Sequence, residues 1–195
     1  MELFIPSWMK NPEKTKQLTD PQKIKRAVLE SKNIEVCKTA LKKIDDQTFL
    51  EELALDDRKS DSLREVAIAG LSDQQLVATI VKTATHYTVR EAAAKKLHDQ
   101  VLIMQLLFSR EDPFSSITSR EKDSVHRLLI ASLDDQDALY EVAINWAYQK
   151  RDYDVDVCMA AVSRITDQEM LEKIAVYTVE GIPDQVQKEA IHRLK

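Results

Sequence analysis

A chain of 195 residues, 44% of them hydrophobic, is long enough to bury a substantial core. Two glycines, five prolines and no alternating apolar runs exclude a β-rich fold, and 31% charged residues with a net charge of −5 suit long solvent-facing helix faces. No apolar stretch reaches the ~18–20 residues of a membrane span. The start, Met1 to Lys10, lacks the basic residues and long apolar run of a signal peptide, so a cytoplasmic protein is expected.

Residues 1–17 read as an N-terminal capping segment. Lys10 and Lys14 stand where later helices carry apolar residues, as a solvent-facing terminal copy does in a repeat array. Trp8 and Phe4 are expected to cover the first copy. Asp20-Pro21 then opens a helix with Ile24, Ala27 and Val28 on one face. Proline at the first helical position loses no needed hydrogen bond, so the aspartate before it is the expected cap.

From there one pattern recurs. Asp-Gln dipeptides stand at 46–47, 73–74, 99–100, 135–136 and 167–168, each two residues after Ile44, Leu71, Leu97, Leu133 or Ile165. Each of those closes an apolar helical stripe opened by Val36, Leu63, Val89, Val125 or Val157. The stripe centres on Ala40, Ala67, Ala93, Leu129 or Ala161, where the small alanines allow close helix approach. Four residues beyond each aspartate comes Leu50, Val77, Ile103, Leu139 or Leu171 on a second helical stripe. The spacing predicts helix, tight turn and helix, paired as antiparallel hairpins, with each aspartate capping its second helix. Val186, Ala190, Ile191 and Leu194 form a sixth first helix. One side of its stripe is expected to stay open, and self-association through this C-terminal helix is one way to cover it.

The repeat resembles HEAT-like repeats, in the short form found in phycobilisome-lyase-type HEAT families, and Val89-Arg-Glu-Ala-Ala-Ala-Lys-Lys-Leu97 carries the likeness best. It spans about residues 18–195. The resemblance implies an all-α fold, a right-handed α-α superhelix (solenoid) of about six hairpins, read as a single domain over 1–195. It also implies three functional classes: a non-catalytic protein-protein interaction scaffold, a HEAT-like nucleic-acid binder or DNA glycosylase-like enzyme, and a chromophore-lyase-like accessory factor. The first is the main expectation, with another protein as the partner.

The chemistry-bearing residues give no enzyme signature. His86, His98, His126 and His192 are scattered and read as partly exposed helix or turn residues, so no metal or cofactor site is expected. Cys37 and Cys158 occupy one register four copies apart, about 40 Å at ~10 Å per helix layer, too far for a disulfide. The row of Asp-Gln turns could be an acidic catalytic ladder, but caps are needed in every copy and a catalytic pair only once. Residues 1–43 carry ten basic and five acidic residues. Lys23, Lys25, Arg26 and Lys32 are therefore the nucleic-acid candidates, although the acidic remainder and the aspartates beside Lys42-Lys43, Lys95-Lys96 and Arg164 oppose phosphate.

Irregularity points to the partner site. From turn aspartate to the next opening residue the regular copies take 16 or 17 residues, but 26 follow Asp99, 22 follow Asp135 and 19 follow Asp167. The extra residues all fall at second-helix-to-first-helix links, and insertions on one edge of a repeat array are where binding faces form. Arg110, Phe114, Trp146, Tyr148, Arg151 and Tyr153, within 109–123 and 146–156, have the residue types that anchor interfaces.

Overall fold

The computed structural model describes residues 6–109, 112–149, 155–176 and 182–195, with side chains to 145 in the second of these stretches. Every regular element in them is helical. A 3-10 turn at Ser7–Met9 precedes α1 (Pro12–Lys16), α2 (Pro21–Glu30), α3 (Ile34–Leu41), α4 (Gln47–Leu55), α5 (Asp61–Gly70), α6 (Gln74–Thr83) and α7 (Tyr87–Lys96). There follow α8 (Gln100–Leu107), α9 (Ser119–Ala131), α10 (Gln136–Gln149), α11 (Val155–Val162), α12 (Gln168–Ala175) and α13 (Asp184–Arg193). The series forms two compact halves, Met1–Lys96 and Leu97–Lys195.

The periodic apolar residues are the core. Val36, Leu63, Val89, Val125, Val157 and Val186 are all buried, as are Leu50, Val77, Ile103, Leu139 and Leu171 on the second stripes. In the N-terminal half the odd helices α1, α3, α5 and α7 stack in sequence, and α4 stacks on α6. In the C-terminal half α9, α11 and α13 stack, and α10 on α12. The 3-10 turn and α1 pack at the start of the first stack. Thr15 is buried there and donates to the carbonyls of Trp8 and Asn11.

Helix pairing differs from the sequence expectation. The closely packed pairs are α2–α3, α4–α5 and α6–α7 in one half and α10–α11 and α12–α13 in the other. These are joined by the links, whereas helices on the two sides of an Asp-Gln turn, such as α5 and α6, make little direct contact. The pair α4–α5 shows the reason. Leu50 at the start of α4 lies beneath Gly70 at the end of α5, where an added Cβ would stand 3.1 Å from Leu50 Cδ1. Arg64 at the start of α5 reaches the Ala54 carbonyl at the end of α4. The two helices therefore run antiparallel, tied at both ends. Across the turn the backbone of Leu71 and Asp73 is extended, which spaces α5 from α6.

Candidate functional site

The turn edge carries the acidic row. Each aspartate accepts from free N–H groups of the helix it starts. Asp20 accepts from Gln22 and Lys23, Asp46 from Phe49, and Asp73 from Gln75 and Leu76. Asp99 accepts from Leu102, Asp135 from Asp137 and Ala138, and Asp167 from Met170. The glutamines bridge neighbouring copies. Gln47 Oε1 accepts from the Ser72 amide at 2.7 Å and the Asp73 amide at 3.2 Å, and its Nε2 donates to the Asp45 and Gly70 carbonyls. Gln100 does the same for Asp134, Asp135 and Ser132, and Gln136 for Thr166, Asp167 and Arg164. Gln168 accepts from the Lys195 amide.

Cations at the ends of odd helices complete this edge. Lys43 donates to the Lys16 and Leu18 carbonyls, and Lys96 to Ala69. Arg164 donates to Leu133 and Arg193 to Ile165. They reach the carbonyls left over where the preceding odd helix ends. The six aspartates, the glutamines at 47, 100, 136 and 168, and the cations Lys43, Lys96, Arg164 and Arg193 thus all bond to backbone along this edge.

The link side holds a register that the sequence reading passed over. The residue after each opening apolar residue is Cys37, Arg64, Arg90, His126, Cys158 or Gln187. Three of these donate to the last carbonyls of the preceding even helix: Cys37 to Ala27 and Ser31, Arg64 to Ala54 at 2.8 Å, and Arg90 to Lys82 and Ala84. Arg64 and Arg90 are buried among apolar helices. Burial raises the Cys37 thiol above its ordinary range, with Lys59 and Ser31 working the other way. The signal in the sequence is one helical register filled only by side chains able to donate.

Around Arg64 the links α4–α5 and α6–α7 come together. Arg64 Nη2 lies 2.9 Å from Asp57 and Nη1 3.5 Å from Asp61, as ion pairs without hydrogen-bond alignment. Thr85 donates to Asp57, Thr88 donates to Asp61, and His86 Nδ1 stands 3.2 Å from Asp61. The Thr88 hydroxyl chiefly, with the His86 and Arg64 charges, holds the Asp61 carboxyl below the usual carboxylate range against its partial desolvation. A histidine oriented by an aspartate is two parts of a general-base arrangement. Here both neighbouring hydroxyls give their protons to the aspartates, so the imidazole activates neither of them.

The residues expected to bind a partner fall in different places. Phe114 is buried at 0% exposure, its ring edge-on to His126 with centroids 5.1 Å apart. This corrects its reading as a surface anchor and the reading of His126 as partly exposed. The segment turns inward because Asp112 accepts from the Phe114 amide and takes Lys122 as an ion-pair partner, ahead of the Thr118–Glu121 capping box. Trp146 and Tyr148 lie in α10, which the insertion lengthens to Gln149, and their side chains lie outside the described residues. Arg110, Arg151 and Tyr153 lie outside them altogether.

The nucleic-acid candidates on α2 are mostly paired. Lys25 binds Asp46 at 2.6 Å and sits over the Phe49 ring, Arg26 binds Glu30, and Lys23 lies 3.8 Å from Asp20. Lys32 is exposed at the α2–α3 link. Among the described residues no His, Cys, Asp and Glu side chains gather as a metal site, and no helix is long and apolar enough to cross a membrane. No protein-family model, curated protein or solved structure matches the chain.

Proposed function

We propose that this chain is a non-catalytic interaction scaffold, a right-handed α-solenoid of HEAT-like repeats that binds another protein along its link edge. The observation that carries the reading is the turn edge. Its aspartates cap helices, its glutamines bridge successive turns, and its cations close the ends of neighbouring helices. The most repetitive polar feature of the chain is therefore spent on architecture rather than held for substrate. Variation is concentrated at the links, where the copies differ in length and composition. With Phe114 in the core, the proposed anchors are Trp146, Tyr148, Arg151 and Tyr153, joined by Arg110.

The ion pairs of Lys25, Arg26 and Lys23 weigh against the nucleic-acid alternative, because phosphate binding draws on several unneutralised cations together. The test compares two variants in a pull-down from native extract. Trp146→Ala/Tyr153→Ala is expected to lose a protein partner that Lys23→Glu/Lys32→Glu retains. Retention by the aromatic variant with loss in the lysine variant moves the site to the basic end and favours nucleic acid.

A further inference from the structure

In the N-terminal half the described residues expose only two large apolar side chains, Leu29 at 51% and Ile34 at 39%. They flank the short link 31–33 between α2 and α3, which pack together, so both stand at one end of that helix pair. One copy on, the same two places hold Leu55, half-buried, and Asp61, which accepts from Thr88 of the next link. Asp57 accepts from Thr85 in the same way. The second link is therefore closed by its own polar bonds, while the first turns aliphatic surface to solvent. Exposed apolar residues scattered singly are ordinary, but here the pair meets at one link.

Lysines frame the pair. The Ser31 hydroxyl donates to the Met9 carbonyl at 2.7 Å and the Asn33 side-chain amide to the Lys10 carbonyl at 3.2 Å, which fixes Lys10 beside Lys32 at this link. Lys59 reaches across from the α4–α5 link to the Leu29 carbonyl at 3.5 Å. Among the described residues none of these three lysines has a carboxylate in ion-pair reach, because the neighbouring acids are already taken. Glu30 holds Arg26 at 2.7 Å, Glu35 lies 3.8 Å from Lys38, Asp56 holds Arg58, and Asp57 holds Arg64. The surplus at the link is positive. An occupant must bring apolar side chains for Leu29 and Ile34 and carboxylates for the lysines. Nucleic acid supplies phosphates but is read by arginine forks and stacked rings rather than aliphatic side chains. A lipid surface takes up a broad apolar helix face, and two aliphatic side chains are too few.

We propose that the α2–α3 link is a second docking place, for a short acidic protein segment with apolar side chains between its carboxylates. The inference rests on the scaffold reading but uses a different link from the anchors proposed at Trp146 and Tyr153. A contact this small is below the standard interface size, so binding is weak. The experiment is amide chemical-shift mapping of the full chain, titrated with a synthetic peptide of two leucines flanked by glutamates. Shifts are expected at Lys10, Lys32, Ile34 and Lys59, with affinity falling as salt rises. Leu29→Ser/Ile34→Ser and Lys10→Glu/Lys32→Glu are each expected to weaken binding about tenfold, with circular dichroism unchanged. Exchanging the peptide's glutamates for lysines is expected to restore binding to the second variant. This titration reads the first link and the pull-down reads Trp146 and Tyr153, so either can fail alone. No shift at millimolar peptide overturns the proposal. So does tighter binding of the same residues to a thymidine oligonucleotide or to phosphatidylserine vesicles, or their shifting on dilution of the free protein, which gives the face to nucleic acid, lipid or a second copy.

Discussion

The two halves use the register behind the opening apolar residue differently. In the N-terminal half Cys37, Arg64 and Arg90 fill it, and each donates to carbonyls ending the helix before. The links there are short, and Asp57 and Asp61 bind Thr85 and Thr88 of the next link. In the C-terminal half His126, Cys158 and Gln187 fill it, and the longer link before α9 folds Phe114 edge-on against the His126 ring. The same place on the helix pair is thus closed once by a charged fork and once by an aromatic contact. A short link leaves carbonyls within reach of a long donor, whereas a long link brings its own side chain to cover the helix. Link length alone does not set the residue type, since cysteine fills the register both behind a short link, at Cys37, and behind a long one, at Cys158.

The largest effect is expected where the closure is apolar. Phe114→Ala removes a fully buried ring and should destabilise the C-terminal half by about 3–5 kcal/mol, read by urea denaturation. A small loss would show that the link is not part of that core. Arg64→Met in the other half should cost about 1–3 kcal/mol, because Ala54 loses its donor and Asp57 and Asp61 their cation, discounted for their partial exposure. Arg64→Lys should recover little, since an ammonium cannot copy the planar fork. Full recovery would reduce Arg64 to a point charge. Asp73→Ala should cost ~1 kcal/mol as a lost cap, measured by thermal melting. Loss of partner binding at unchanged melting temperature would instead make the aspartate a site residue.

The smallest effect concerns pH. Asp61 has its folded pKa depressed, chiefly by the Thr88 hydroxyl, so its contribution to stability is present above its unfolded pKa and is lost as pH falls through the folded one. Acid titration of wild type against Thr88→Val should show the wild type losing its advantage as it enters that acidic range. Parallel curves would remove Asp61 from the account.

Core and caps were legible because they depend on local spacing. An aspartate two or three residues before a free N–H is a cap wherever the helix goes, and the stripes from Val36 to Val186 are buried as their periods require. Pairing was not legible, because the turn at 71–73 and the link at 84–86 are equally short and chain distance cannot choose between them. What chooses is the long-range reach of Cys37, Arg64 and Arg90 to the preceding helix. Phe114 was misread for a related reason. Its neighbours Asp112, Pro113 and Ser115 are those of a surface turn, and only the fold brings His126 to it. The Trp146 side chain and Tyr153 lie outside the described residues.

The central claim is that the polar repeat is architectural, and amide hydrogen exchange on Gln136→Ala tests it most directly. The Thr166 and Asp167 amides sit in an exposed turn and bond to Gln136 Oε1, at 2.7 Å and 3.3 Å. Their protection should fall about fivefold on losing a bond worth ~1 kcal/mol, while the Met170 amide, held by Asp167, keeps its own. Unchanged exchange at Thr166 and Asp167 would contradict the bridge, and with it the assignment of the Asp-Gln row to structure.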